Sequence, residues 1–400
     1  MGERQLKGSW ISNYLAFTSE TEFPISYHMW VACAVLGAVT ERRLWLPWHP
    51  YTIVPNLYVM LVGPSAIGKS SAADIGITLL RSMRNRISIL RDRITPEALI
   101  VAIKECETPV VGIGKKSIQL ASPLLVYASE LSTLISETRF LRDIVTIITG
   151  LYSTPFFEYT LKSESIEIIN PFLSFIGCST PVWLQRALSK ETLEGGFAGR
   201  MCFVWADKPA KLISRPVVDP TLYVLQENLV MDLEHIKTLR GPMTTTKEFD
   251  ADWDHWYHEY MGQVFDPEPE EAGMHGRRRA TLLKLCMILS IAENDDLIIT
   301  DSHLRLALQF TKILDDSYPL VMNCMGGGET SKAATYVLGH IEAAGRIKRA
   351  ELLRKVAWRR DIDTLTLAKI LQNLYDQQLI EMDPRNPTTI IYRRPAVMPI

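Results

Sequence analysis

The chain has 400 residues, of which 47% are hydrophobic and 22% are charged, and its formal net charge is −2. This length and apolar content predict two or three domains with substantial cores. The six cysteines are widely separated and form no C-x-x-C pair, so the sequence predicts neither a zinc site nor a disulfide framework, and a reducing compartment. No signal peptide opens the chain and no uncharged apolar run is long enough to span a bilayer, so we expect a soluble, cytoplasmic protein.

The charge is distributed unevenly along the chain. Residues 331–400 carry 12 lysines and arginines against 7 acidic residues, whereas the rest of the chain is net negative. The C-terminal segment is therefore the basic part of the protein.

The first predicted element is helical and covers residues 9–47. Trp10, Tyr14 and Leu15 share one face, and residues 30–39 are almost wholly apolar. We expect residues 1–50 to form a helical segment that packs on the following domain.

A phosphate-binding loop follows an apolar strand predicted at 57–62. The sequence from Gly63 to Ser70 has the pattern G-x-x-x-x-G-K-[ST] at every fixed position, and a helical pattern follows it. The two glycines let the backbone approach phosphate oxygens, the lysine reaches the β- and γ-phosphates, and the serine hydroxyl can bind Mg²⁺. The predicted nucleotide-binding residues are Gly63, Pro64, Ser65, Ala66, Ile67, Gly68, Lys69, Ser70 and Ser71.

Polar residues follow two further apolar strands. The strand predicted at 124–128 ends in Ser129 and Glu130, where Glu130 fits the role of polarising the attacking water. Ser129 occupies the place where an aspartate is usual, so the predicted metal site consists of Ser70, Ser129 and Glu130. The alternative is an ordinary capped junction between a strand and a helix. Thr180, after the strand predicted at 172–177, is a candidate sensor of the γ-phosphate.

Two predicted hairpins carry lysines near their tips. The first covers residues 110–121 with Lys115 and Lys116, and the second covers 156–169 with Lys162. These lysines could contact nucleic-acid phosphates, although exposed lysines are also common at turns.

Two arginines are candidates for contact with a nucleotide. Arg200 follows the flexible GGFAG sequence just before a buried-type strand, where it could be a finger for a neighbouring subunit's nucleotide or form a local salt bridge. Arg279 begins an amphipathic helix in a region, 241–325, that is predicted to be a helical lid.

The segment after Gly326–Gly328 has the pattern of a winged helix-turn-helix domain. Helical periods at 331–343, 349–357 and 364–379 precede two short strands that form a wing. Such a domain can place its third helix in a major groove or can dock a protein. The candidate DNA-binding residues here are Lys369, Gln372, Arg393 and Arg394.

In their order, these pieces resemble the AAA+ ATPases of the minichromosome-maintenance-like helicase group, in the shorter form that phages and mobile elements carry beside a primase. The resemblance covers residues 25–395 and rests on GPSAIGKS, ASEL, INPFLSFIGCSTP, GGFAGR, RRRATLLKLCMIL and the C-terminal segment. It implies an α/β fold with a P-loop AAA+ core at 51–240, the lid and a winged helix at 331–400. It also implies Lys69 and Ser70 at ATP and Mg²⁺, Glu130 as the activator of water, Thr180 as first sensor, Arg200 as a finger acting in trans and Arg279 as second sensor.

The expected function is that of an ATP-dependent DNA translocase, a ring-forming replicative helicase of a phage or mobile element. Its expected partners are further copies of itself in a hexamer, single-stranded and forked DNA, and a primase. Two alternatives stay open. One is an ATP-dependent origin-binding or helicase-loading protein, and the other is a non-catalytic assembly locked by ATP, which the serine at position 129 favours.

Overall fold

The computed structural model describes residues 3–91, 93–111, 118–134, 138–160, 165–187, 196–215, 219–263, 269–326, 329–356, 362–376, 379–383 and 386–392. The chain is a mixed α/β protein with a parallel sheet, as the sequence predicts. Its contacts divide it into two compact units, residues 1–322 and residues 323–400.

A central parallel sheet organises the first unit. Its strands are apolar, and those in the middle are buried on both faces, which is typical of parallel sheets. The strands lie side by side in the order Met201–Trp205, Tyr58–Val62, Pro171–Ser179, Ile118–Ala128 and Ile89–Arg91, and Thr108–Val111 pairs antiparallel with Ile118–Ala128. Below, the first four in this order are called the Arg200 strand (201–205), the phosphate-loop strand (58–62), the Thr180 strand (171–179) and the Glu130 strand (118–128).

Helices pack on this sheet, and those at 10–17, 25–39, 69–82 and 221–236 share one hydrophobic core with one of its faces. The helix that follows the phosphate loop packs tightly on the helix Ile25–Val39, since a Cβ atom at Gly76 would lie 2.5 Å from Val31 Cγ1. The helices before the lid region are Trp10–Phe17, Ile25–Val39, Lys69–Ser82, Pro96–Glu105, Leu131–Leu134, Thr138–Leu151, Pro181–Ala187 and Thr221–Ile236.

The N-terminal segment is helical only in part. Leu44–Trp48 is a strand that pairs with Tyr51–Ile53 and with Gly241–Pro242, so the prediction of a helix over 9–47 is wrong at its C-terminal end. The chain leaves the helix at Glu41 and Arg42, which both have positive φ angles.

The predicted lid packs into the same core as the sheet. Leu282, Ile288 and Phe310 are buried in one cluster with the N-terminal helix and the strands, so this region belongs to the first unit. Its elements are the helices Lys247–Gln263, Pro269–Glu293 and Asp301–Gly326 and the strands Thr244–Thr245 and Ile298–Ile299. The last helix runs past Met322, so Gly326, expected in a linker, is helical.

Both predicted hairpins are formed in the described part of the chain. The first pairs Thr108–Val111 with the beginning of the Glu130 strand, and the second pairs Phe156–Thr160 with Ser165–Ile169, just before the Thr180 strand. The Asn170 side chain donates a hydrogen bond to the Leu120 carbonyl at 2.8 Å, which connects the bases of the two hairpins.

The described residues of the second unit form three helices and a three-stranded antiparallel sheet around a separate core. The helices match the predicted periods, and one strand, Arg346–Lys348, was not predicted. The elements are the helices Glu329–Ala344, Arg349–Val356 and Thr364–Asp376 and the strands Arg346–Lys348, Ile380–Asp383 and Asn386–Tyr392. Among all described helices, none is sufficiently long and apolar to cross a membrane.

Candidate nucleotide site

The strand register brings the phosphate loop, Glu130 and Thr180 to one edge of the sheet. Val62 pairs with Ser179, and Ala128 pairs with Gly177. The residues that follow these strands therefore leave the sheet at the same level. In parallel α/β sheets, ligands bind at the carboxyl ends of the strands.

The phosphate loop has the backbone that its glycines predict. Gly68 has φ +84° immediately before the helix Lys69–Ser82, and a Cβ atom there would lie 2.0 Å from Phe23 Cδ1. At Gly63 a Cβ atom would lie 2.3 Å from the Ala206 carbonyl oxygen. Both positions therefore require glycine. The amides at the start of this helix form the positive end that favours an anion.

Lys69 lies folded against its own loop. Its ammonium donates to the carbonyl oxygens of Gly63 at 2.9 Å and Pro64 at 2.6 Å. Burial lowers the pKa of Lys69, and the negative charge of Glu130 acts in the opposite direction. Lys69 and Glu130 are therefore close enough to interact electrostatically.

The oxygen donors that would hold Mg²⁺ are Ser70, Ser129 and Glu130. Ser70 is the second residue of the loop helix, and Glu130 is exposed in the bend after its strand. In the described part of the chain, no group of three or more His, Cys, Asp or Glu residues is arranged to hold a metal ion. Magnesium that arrives with nucleotide phosphates needs only one or two protein ligands, so this oxygen set fits it.

Thr180 caps the helix Pro181–Ala187. Its hydroxyl oxygen accepts a hydrogen bond from the Trp183 amide at 3.3 Å. Because a hydroxyl has two acceptor lone pairs and one proton, accepting this bond does not use the proton of the Thr180 hydroxyl.

Two N-terminal aromatic residues, which the sequence did not indicate, fix the phosphate loop from behind. The Tyr27 hydroxyl donates to the Val62 carbonyl at 2.8 Å, and Phe23 lies directly against Gly68. The apolar pattern of residues 30–39 predicts a buried helix that packs on the following domain, but it does not indicate contact with the phosphate loop.

Arg200 lies at the amino ends of the parallel strands, whereas the phosphate loop lies at their carboxyl ends. It directly precedes Met201, which pairs with Tyr58 at the start of the phosphate-loop strand. Its guanidinium donates to the Gly196 carbonyl at 2.7 Å, and burial and the nearby Arg277 lower its pKa. A strand of five residues separates it from the loop, which is about 16 Å at 3.3 Å per residue.

Arg279 lies on a helix that also contacts the turn containing Arg200. This helix, Pro269–Glu293, contacts the turn Ala198–Arg200. The buried Lys284 on it donates to the Asn56 carbonyl at 2.9 Å, ahead of the phosphate-loop strand. The guanidinium of Arg279 itself lies over the Tyr257 ring, 5.5 Å from its centroid.

Most of the predicted DNA-binding residues lie outside the described residues. These are Lys115, Lys116, Lys162, Arg393 and Arg394. In the second unit, Lys369 and Gln372 are both exposed on the helix Thr364–Asp376.

Comparison with protein-family models gave no match, and no curated protein matches the sequence.

Proposed function

We propose that this protein is an ATP-driven DNA translocase with a P-loop AAA+ core and a C-terminal winged helix, which acts as the replicative helicase of a phage or mobile element. The observation that carries the proposal is the meeting of the phosphate loop, Glu130 and Thr180 at the carboxyl ends of three adjacent parallel strands. In this assignment Lys69 holds the β- and γ-phosphates, and Glu130 polarises the attacking water. Mg²⁺ would neutralise developing charge on the phosphates.

The position of Arg200 supports a ring. The nucleotide of the same subunit would lie about one strand length away, and the side chain would have to leave Gly196 to reach even part of that distance. Arg200 therefore acts on the nucleotide of an adjacent subunit, which couples hydrolysis to contact between subunits. Arg279, as second sensor, would act from the same side, and a hexamer is the expected ring.

The hairpins and the second unit are the proposed DNA contacts. Both hairpins precede core strands, so they lie at the edge of the sheet opposite the nucleotide site. Lysines at their tips would follow the phosphates of single-stranded DNA. Lys369 on the helix Thr364–Asp376 is exposed, as a residue that contacts duplex DNA must be.

ATP turnover with and without single-stranded DNA tests the proposal, together with unwinding of a forked duplex. We expect DNA to stimulate turnover and the fork to be unwound. The Lys69→Ala variant should lose both activities and keep its circular dichroism spectrum. A wild-type protein that turns over ATP without response to DNA and leaves the fork intact would contradict the proposal.

The serine at position 129 favours a second candidate, a non-catalytic assembly that ATP locks and whose winged helix docks a protein. Stoichiometric ATP binding with no turnover, with or without DNA, would support it. Turnover that DNA stimulates without unwinding would instead support an origin-binding or helicase-loading protein.

A further inference from the structure

Position 129 lacks the carboxylate that an NTPase of this kind usually places beside Mg²⁺. The Ser129 hydroxyl is neutral, and only Ser70 and Glu130 accompany it as predicted oxygen ligands. A second negative charge near the metal would therefore have to come from another part of the chain.

Asp74 is placed to supply that charge. It lies four residues after Ser70 on the phosphate-loop helix, and residues at this spacing share a helix face. The Tyr127 hydroxyl donates to Asp74 Oδ1 at 2.9 Å and lies 3.5 Å from the Ser70 carbonyl oxygen. Tyr127 is the second-last residue of the Glu130 strand and therefore lies close to Ser129 and Glu130 along the chain.

The charges around Cys178 support this placement. Burial raises the pKa of the Cys178 thiol to about 12, while Lys69 lowers it and Asp74 and Glu130 raise it further. Cys178 pairs with Leu61, next to the end of the phosphate-loop strand. The carboxylate of Asp74 therefore belongs to the same electrostatic environment as Lys69 and Glu130.

We propose that Asp74, held in position by Tyr127, replaces the missing carboxylate at position 129 and orients water around nucleotide-bound Mg²⁺. This inference rests on the proposed nucleotide binding, and it makes Asp74 a positioning residue for the metal. Asp74 also forms an ion pair with Arg91 at 3.4 Å, and its side chain is 44% exposed to solvent. The carboxylate is thus still accessible to water.

The experiment measures Mg²⁺ dependence of ATP binding by calorimetry, with ATP titrated in EDTA and at a series of Mg²⁺ concentrations. The Asp74→Asn variant should need about tenfold or more Mg²⁺ to reach wild-type ATP affinity, as residues behind metal ligands typically do. Its affinity for ATP in EDTA should not fall. Tyr127→Phe should shift the Mg²⁺ dependence in the same direction by a smaller factor.

Two control variants separate this role from a structural one. Arg91→Met removes the ion pair and the contact of the guanidinium with the Tyr127 ring, 5.2 Å from its centroid. It should leave the Mg²⁺ dependence within about twofold of wild type. Ser129→Asp should restore Mg²⁺ binding in the Asp74→Asn background and add little in the wild-type background. The two single variants and the double variant form a double-mutant cycle, which measures the coupling between positions 74 and 129.

An unchanged Mg²⁺ dependence in Asp74→Asn and in Tyr127→Phe would overturn the inference and leave the proposed function intact. An equal gain from Ser129→Asp in both backgrounds would also overturn it. A wild-type protein that binds no ATP at any Mg²⁺ concentration would instead remove the proposed function itself.

Discussion

At the scale of single residues, the proposed function assigns turnover to Glu130 and nucleotide binding to the phosphate loop with Lys69. Glu130 is exposed after the Glu130 strand, whereas Lys69 lies against the phosphate loop. We expect Glu130→Gln to retain ATP binding and to lower kcat by about 10²- to 10⁴-fold, the usual contribution of a positioned base.

Steady-state turnover and calorimetric ATP affinity of Glu130→Gln check this expectation. Glu107→Gln is a suitable control, since Glu107 forms an ion pair with Lys104 after a different helix. If Glu130→Gln turns over ATP at the wild-type rate, Glu130 does not activate water.

His28 gives the first unit a dependence on pH. Its ring is buried, with Nε2 2.8 Å from the Thr21 hydroxyl, and burial lowers its pKa to about 4. Between pH 6.5 and pH 4 the unfolded chain binds a proton that the folded chain does not. The stabilisation that comes from the lowered pKa of His28 is therefore complete above pH 6.5 and is lost as the pH falls through this range.

We expect His28 to account for roughly 2 kcal/mol of lost unfolding free energy between pH 7 and pH 5. Denaturant unfolding at both pH values measures it. A His28→Gln variant should lose correspondingly less over the same range, because glutamine does not titrate. Equal losses in the variant and the wild type would show that His28 is not the group responsible.

At the scale of elements, Gly76 sets the distance between two helices. A Cβ atom there would lie 2.5 Å from Val31 Cγ1 and 2.9 Å from Val35 Cγ2. We expect Gly76→Ala to destabilise the first unit by about 1 to 3 kcal/mol through overpacking, despite the higher helix propensity of alanine.

Gly262→Ala is the matched control, because a Cβ atom at this helical position meets nothing within 4 Å. It should leave stability unchanged or raise it by up to about 1 kcal/mol. The denaturant midpoint should therefore fall in Gly76→Ala and should not fall in Gly262→Ala. A stabilising Gly76→Ala would show that the helices separate easily.

The elements also show what could be predicted from the sequence. The sequence Thr95-Pro96-Glu97 predicts a helix start from local signals, a capping hydroxyl followed by proline and an acid, and Thr95 Oγ1 does accept the Ala98 amide at 3.2 Å. The strand Leu44–Trp48 was not, because one of its partners, Gly241, is almost 200 residues away. The phosphate loop follows from its spacing alone. Asp74 is four residues after Ser70 in the sequence, but its importance depends on Tyr127, which only the tertiary fold brings to it.

At the scale of the whole molecule, Arg200 predicts shared sites between subunits. In the proposed ring, the Arg200→Ala variant keeps an intact phosphate loop but lacks the arginine finger. The Lys69→Ala variant keeps the arginine finger but lacks a working phosphate loop. Each variant alone should be inactive, with Arg200→Ala reduced by about 10³-fold or more. A mixture should regain turnover, since roughly one interface in four joins an intact phosphate loop to an intact arginine finger in a randomly mixed ring.

Turnover of the two variants, measured separately and mixed at a constant total concentration, checks this prediction. A mixture of Lys69→Ala with an Arg200→Ala Lys69→Ala double variant serves as the control, because it contains no intact phosphate loop. Failure of the first mixture to exceed its components would mean that Arg200 acts within its own subunit or not at all.

The second unit makes a separate prediction about duplex DNA. Lys369 is exposed on the helix Thr364–Asp376, and this unit has its own core. If Lys369 contacts a phosphate, Lys369→Glu should weaken duplex binding and reduce the slope of log affinity against log salt by about one. Lys355→Glu, on the preceding helix, is the charge-matched comparison. Equal effects of the two variants would indicate general charge attraction without a defined contact.

The Glu130 strand extends without a break from the first hairpin to the carboxyl ends of the strands, where the candidate nucleotide site lies. Its 11 residues, Ile118–Ala128, pair with the first hairpin strand at one end and with the central sheet at the other. At 3.3 Å per residue this is a rod of about 36 Å, hydrogen-bonded to neighbours along its length. A displacement along its axis at one end is therefore transmitted to the other end with little loss. In the proposed translocase, mechanical load on a hairpin that grips DNA would be felt directly at Glu130, so pulling on the strand of DNA should change the rate of ATP turnover.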